Sequence, residues 1–217
     1  MLKLFEVGGC VRDELLGLES KDIDFSVVLD DTSLSIDEGW DTMIGWLESK
    51  GFKLFLKTKD CFTVRGMFPK GHINEGLVGD FVLSRKEIGV IPGTRKPILE
   101  LGTLEDDLMR RDFTVNSLCK DEDGKIIDMF GGVEDLKKGV LKTPLDPMVT
   151  LLDDPLRMLR GLRFSITKGF IIHNKLWDCM SDPRVLSKLK EVVSHERMRE
   201  EVTKMMKHDT IKSLKLL

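Results

Sequence analysis

The stretch GGCVRDELLGLESKDIDFSVV, Gly8 to Val28, constrains this chain more than any other. Two adjacent glycines end an alternating apolar segment, and two aspartates one residue apart open the next apolar run. The run from Val11 to Leu16 reads as a short helix that Gly17 closes, and Asp22 to Leu29 reads as a strand. Side chains two apart on a strand share a face, so Asp22 and Asp24 point together while Ile23 and Phe25 enter the core. Burial alone gains nothing from two like charges at the mouth of an apolar strand. Carboxylates held side by side share divalent cations, and metals ~3.5–4 Å apart suit in-line nucleotidyl transfer. The glycines let backbone N–H groups approach phosphate closely at the positive end of the following helix, with Arg12 expected as a mobile charge there. A third acid is expected from a neighbouring strand. Asp80 in LVGDFVLSR fits, with Asp60 and Glu100 as rivals.

Around this stretch the pattern predicts a strand over 2–7, a helix near 41–49 and strands over 52–57 and 61–67 joined by Thr58-Lys59-Asp60. A strand follows over 77–84, and 86–102, punctuated by Pro92-Gly93 and Pro97, reads as a mobile loop. TLEDDLMRRDFTVNSL has helix-start chemistry and amphipathic spacing. IIDMFGG is a short strand and turn, and VEDLKKG is a short helix. From Asp153 onward the segments 153–165, 172–181, 183–191 and 195–207 are all helical. The expected class is α/β followed by α, with a catalytic head over 1–147 and an all-helical domain over 148–217, divided at TPLDP.

The 217 residues contain 41% hydrophobic residues, enough to bury an ordinary core. No window reaches the ~18 apolar residues of a membrane span, and a soluble, cytoplasmic protein without membrane association is expected. Cys10, Cys61, Cys119 and Cys179 show no CxxC spacing and no histidine at ligand distance, which argues against structural zinc. The net charge of −3 hides an asymmetry. From Leu151 onward there are nine acidic and fourteen basic residues, so the helical third is basic and compatible with a polyanion across it.

GGCVRDELLG with KDIDFSVV, RRDFTVNSL, DMFGGVEDLKKG, DDPLRMLRGLRF and ERMREE resemble, in order, the five motifs of the class II CCA-adding tRNA nucleotidyltransferases and bacterial poly(A) polymerases. The resemblance implies a polymerase-beta-like nucleotidyltransferase head, with a mixed antiparallel sheet and flanking helices, followed by a helical neck. It implies Asp22 and Asp24 as metal-binding catalytic acids for two Mg²⁺ ions, and Gly8, Gly9 and Arg12 as triphosphate contacts. Arg111 and Asp112 would meet the ribose of the incoming nucleotide, with Asn116 supporting; Asp112 accepting from the 2′-OH would separate ribose from deoxyribose.

Asp154 and Arg157 match the family's base-reading pair, and nucleotide contacts extend along the same segment to Arg160 and Arg163. Three residues apart on a helix, Asp154 and Arg157 would share a face. A carboxylate accepting from an exocyclic amine, beside a guanidinium donating to the ring, admits both C and A and rejects G and U. Asp153 stands where the family usually has Glu. Glu196, Arg197 and Glu201 would brace the neck. The implied activity is template-independent addition of C and A to the 3′ end of tRNA from CTP and ATP. Alternatives are poly(A), CC-only or A-only addition, or a non-catalytic RNA-binding subunit. Family members continue into body and tail domains, so a compact form, a fragment, a homo-oligomer or a separate tail subunit would have to account for the length.

Overall fold

A computed structural model describes residues 1–20, 23–90 and 97–217. They form two compact units: 1–109 with 116–129, and 110–115 with 130–217. Packing therefore divides the chain elsewhere than at the 147–148 boundary drawn from the sequence. The physical reason lies in residues 110–146, much of which is tied to later helices or to one another. The Thr114 N–H donates to the Lys142 carbonyl at 2.8 Å, Thr114 Oγ1 bonds Asp135 at 2.8 Å, and Val140 and Leu141 pair with Ile171 and Ile172.

In the first unit the order is β1 (Leu2–Val7), α1 (Gly9–Leu15), β2 (Ile23–Leu29), α2 (Ile36–Ser49), β3 (Lys53–Thr58), β4 (Thr63–Met67) and β5 (Val78–Leu83). Then come β6 (Arg85–Val90), β7 (Pro97–Leu101), α3 (Leu104–Met109), β8 (Leu118–Lys120) and β9 (Ile126–Asp128). Seven strands make one mixed sheet in the order β3-β4-β5-β2-β1-β8-β9, in which only β2 and β5 run parallel. Phe25, Val27 and Leu29 alternate onto one face, where Phe25 stacks on Phe81 at 5.2 Å and α2 contributes Trp40, Met43 and Leu47. Helix α2 starts five residues before the expected position. Ser35 caps it and exchanges bonds with Glu38, so Gly39 is carried inside a capped first turn.

The 86–102 segment expected as a loop is mostly a two-stranded antiparallel ribbon, β6 with β7, and residues 91–96 lie outside those described. Pro97 opens β7, the strand position where a missing N–H costs least. Gly102 closes the ribbon tightly. Its N–H donates to the Ser84 carbonyl at 2.9 Å, and a methyl group on it would stand 2.7 Å from the Arg85 carbonyl carbon. Backbone cannot yield as a side-chain tip can. Gly102→Ala is expected to cost about 1–3 kcal/mol, read as a lower denaturation midpoint at unchanged slope; an unshifted midpoint would show that the ribbon adjusts freely.

The second unit carries α4 (Gly132–Lys138), β10 (Val140–Leu141), α5 (Pro147–Asp153), α6 (Leu156–Thr167), β11 (Ile171–Ile172), α7 (Asn174–Met180), α8 (Pro183–Val192), α9 (His195–His208) and α10 (Thr210–Leu216). It is helical apart from the parallel pair of β10 and β11. Leu156, Leu159 and Leu162 bury one face of α6, and Phe164 meets Phe113 edge-on at 5.7 Å. The helix expected over 153–165 begins at Leu156, behind a separate α5 that ends at Asp153. Asp154 is extended (φ −131, ψ 101) because the residue before a proline is pushed out of the helical region. Among the described residues no helix is long and apolar enough to cross a membrane.

Candidate functional site

Strand β2 places Asp24 opposite Asp80 of β5 in register, and the pairing puts both carboxylates on the sheet face opposite the Phe25–Phe81 stack. Asp80 accepts from Arg65 Nε at 2.7 Å and Nη2 at 2.5 Å, a two-pronged pair set up by the β4–β5 register. Asp22 lies outside the described residues. Of the rival third acids, Glu100 pairs with Lys86 at 3.3 Å across the ribbon, and Asp60 is exposed in the 3₁₀ turn Lys59–Cys61. Among the described residues no three metal-ligating side chains converge. Two carboxylates on neighbouring strands nonetheless suit Mg²⁺, which completes its shell with waters and phosphate oxygens rather than an all-protein cage.

The glycine turn sits beside these acids. Strand β1 runs antiparallel to β2 with Glu6 opposite Phe25, so one further step brings Val7 to Asp24 and the chain then leaves through Gly8. Gly8 has φ 82 and ψ −130, a conformation that glycine adopts without strain, and its N–H is committed to the Leu118 carbonyl at 3.1 Å. Gly8 therefore contributes shape more than a donor. Helix α1 begins at Gly9, two residues before the expected start. The Cys10 thiol donates to the Val7 carbonyl at 3.2 Å; burial pushes its pKa up, and the Asp24 and Glu6 charges add to the rise.

Arg12 is not the mobile charge expected. It is 6% exposed, and its Nε and Nη2 donate to Asp13 at 2.9 and 3.0 Å while Nη1 donates to Asn116. The reason is burial: Arg12 lies one turn into α1 among its buried residues, and a guanidinium withdrawn from water has to take fixed partners.

In the second unit Asp112 is 8% exposed. Its carboxylate accepts from Arg160 at 2.8 and 2.6 Å and from the Phe113 N–H at 2.9 Å. Burial works against the Arg160 cation, yet its pKa is raised because Asp112, and more weakly Glu201 and Asp154, favour the charge. Helix α3 ends at Met109, so Arg111 and Asp112 belong to the bend before the 3₁₀ turn Thr114–Asn116 and not to one continuous helix.

Asp154 and Arg157 do not share a helical face, since Asp154 precedes α6. Asp154 accepts from the Leu156 N–H at 3.1 Å and from Arg197 at 3.0 Å. Arg157 donates to the carbonyls of Thr150 (3.1 Å) and Arg110 (2.7 Å) and pairs with Asp153 at 3.0 Å. Arg163 pairs with Glu201 at 2.5 Å and lies over the Phe164 ring at 4.4 Å. Two partners escaped the reading of the sequence: Asp13 adjoins Arg12 and carries no periodic signal, and Arg65 becomes visible only through strand register. Arg197, expected as a brace of the neck, meets Asp154 across 43 positions.

Residues 4–142 match the poly A polymerase head domain. A tRNA nucleotidyltransferase of Schizosaccharomyces pombe is 34% identical over 209 residues, covering 92% of this chain and 42% of the relative. The CCA-adding enzyme of Bacillus stearothermophilus, solved in complex with CTP, superposes with a TM-score of 0.76 at 26% identity over 98% of this chain and 47% of that one. The Thermotoga maritima CCA-adding enzyme, complexed with tRNA, gives 0.71 at 26% identity over 99% and 45%. This chain thus spans less than half the length of each of the three. With the match running through the glycine turn, the paired acids and the RRDF segment, the chain belongs to the poly A polymerase head-domain family.

Proposed function

We propose that this chain carries the nucleotidyl-transfer machinery of a template-independent RNA polymerase that adds C and A to the 3′ end of tRNA, taking CTP and ATP and releasing pyrophosphate. The observation that carries the reading is the register of three strands. It sets Asp24 beside Asp80 and brings the Gly8-Gly9 turn, with Arg12 anchored in the helix behind it, to the same strand ends.

Asp22 and Asp24, with Asp80 as the third acid, would hold two Mg²⁺. When bound, the ions lower the pKa of the primer's terminal hydroxyl and neutralise charge on the triphosphate. The protein's own part is positional. The Gly8 conformation lets the chain approach phosphate without a Cβ in the way, Gly9 offers the first N–H of α1, and Arg12 holds a fixed donor set on the triphosphate. Arg111 and Asp112 take the ribose, with Arg160 fixing the Asp112 carboxylate. Asp154 and Arg157 read the base, with Arg197 orienting Asp154. For Arg157 this means exchanging carbonyl partners for the base edge. The two solved relatives, one in complex with CTP and one with tRNA, support these ligands for this chain.

The test is end-labelled tRNA lacking CCA, ending in C75, or complete, incubated with each labelled nucleoside triphosphate and Mg²⁺. Incorporation of C, C and then A, with none on complete tRNA, is expected. A alone onto any RNA would point to poly(A) addition. CC only or A only would mark a divided activity. RNA binding without incorporation would favour a non-catalytic subunit, and partner requirements, a second copy or a separate tail chain, would appear as activity restored by addition. Chelation with EDTA is expected to stop incorporation, and Mg²⁺ to restore it.

A further inference from the structure

We infer that Asn116 is a positioning residue for the Arg12 guanidinium, acting on the triphosphate end of the nucleotide rather than on the ribose; this rests on the nucleotidyl-transfer reading of the same site. Asn116 ends the 3₁₀ turn before β8 and accepts from Arg12 Nη1 through its amide oxygen, across 104 positions of sequence. Two residues on, the Leu118 carbonyl accepts the Gly8 N–H at 3.1 Å. The 116–118 segment therefore ties down the glycine turn at two points, one through backbone and one through the side chain of Asn116. Asp112, the ribose candidate, accepts from Arg160 and from the Phe113 N–H.

The chemistry explains why an amide stands at 116. Asp13 already grips Arg12 with both carboxylate oxygens and balances its charge. A second carboxylate would make the cluster net negative and repel a triphosphate, whereas a neutral acceptor fixes the direction of the guanidinium without adding charge. The aim matters because Asp13 takes the Nε–Nη2 edge of the planar guanidinium, and a second hold at Nη1 fixes the plane in which the cation faces phosphate.

Three proteins decide the matter: the parent chain, Asn116→Ala and the near-isosteric Asn116→Asp. Binding of magnesium tripolyphosphate is measured by calorimetry, and the KM and kcat for CTP and 2′-deoxy-CTP are measured on tRNA lacking CCA. A hydrogen bond to a charged group is worth enough that Asn116→Ala should weaken tripolyphosphate binding about tenfold or more. It should raise the KM for CTP and deoxy-CTP by the same factor, leaving their ratio unchanged. Asn116→Asp should keep the parent's melting temperature and bind tripolyphosphate more weakly still at low salt, with part of the loss recovered as salt screens the added charge. A collapse of ribose discrimination in Asn116→Ala, with tripolyphosphate binding intact, would overturn the inference and return Asn116 to the ribose. A parent chain that binds tripolyphosphate but transfers no nucleotide would overturn the proposed function alone, since the binding comparison needs no RNA.

Discussion

Asp24→Asn is expected to abolish nucleotide incorporation, lowering kcat by about a thousandfold or more, while the protein melts within a degree or two of the parent. The size follows from what is removed. A metal-holding carboxylate stabilises developing charge by several kcal/mol, and each 1.36 kcal/mol of barrier is a factor of about ten in rate. The side chain is nearly isosteric and sits at the half-buried mouth of β2, outside the Phe25–Phe81 core, so the fold loses little. Single-turnover incorporation of labelled C onto tRNA lacking CCA reads the effect, with tripolyphosphate binding in the absence of metal as the control for an intact cradle. Activity within tenfold of the parent would remove Asp24 from the chemistry. Asp80→Asn separates the roles further. Its pair with Arg65 is part-exposed and worth at most about 1 kcal/mol to stability, so a large kinetic loss there would identify Asp80 as the third acid and a small one would leave it to Arg65.

What could be read from the sequence was set by how local the cause is. The alternation in LKLFEV and IDFSVVL needs only neighbouring residues, and β1 and β2 stand where it put them. Two further local signals were present but outweighed. The Ser35–Glu38 capping box marks the start of α2, five residues ahead of the helix read near 41–49. Asp146 before Pro147 caps α5, yet the same residues read as a linker between domains. The family match made the site residues legible as names, but not as contacts. Arg65 against Asp80, Arg12 against Asn116 and Arg197 against Asp154 join positions far apart in the chain, and no periodicity within one element encodes them. Arg12 was read as mobile because the sequence shows its charge and not its burial.

The same long-range logic carries the largest expected loss of stability, at Glu201. This carboxylate is 5% exposed and accepts from Arg163 of α6, whose guanidinium also covers the Phe164 ring. Removing one member of a buried pair strands the other charge away from water, at a cost of about 3–5 kcal/mol. Arg163 keeps some access to solvent, so the lower part of that range applies to Glu201→Ala. For a chain of this length ~1 kcal/mol moves the melting temperature by about 2–4 °C, and a drop of roughly 6–12 °C is expected. Glu201→Gln, which keeps a neutral acceptor in place, should lose about half as much. The double variant Glu201→Ala with Arg163→Met deletes both charges and keeps an apolar stem over Phe164, so it should recover most of the loss. If the double variant melts no higher than Glu201→Ala, the cost lies in packing between α6 and α9 and not in a stranded cation. The comparison also bears on the nucleotide. An Arg163 that only braces the neck can be replaced in the double variant with the KM for CTP unchanged, whereas an Arg163 that meets the triphosphate would raise that KM even where stability returns.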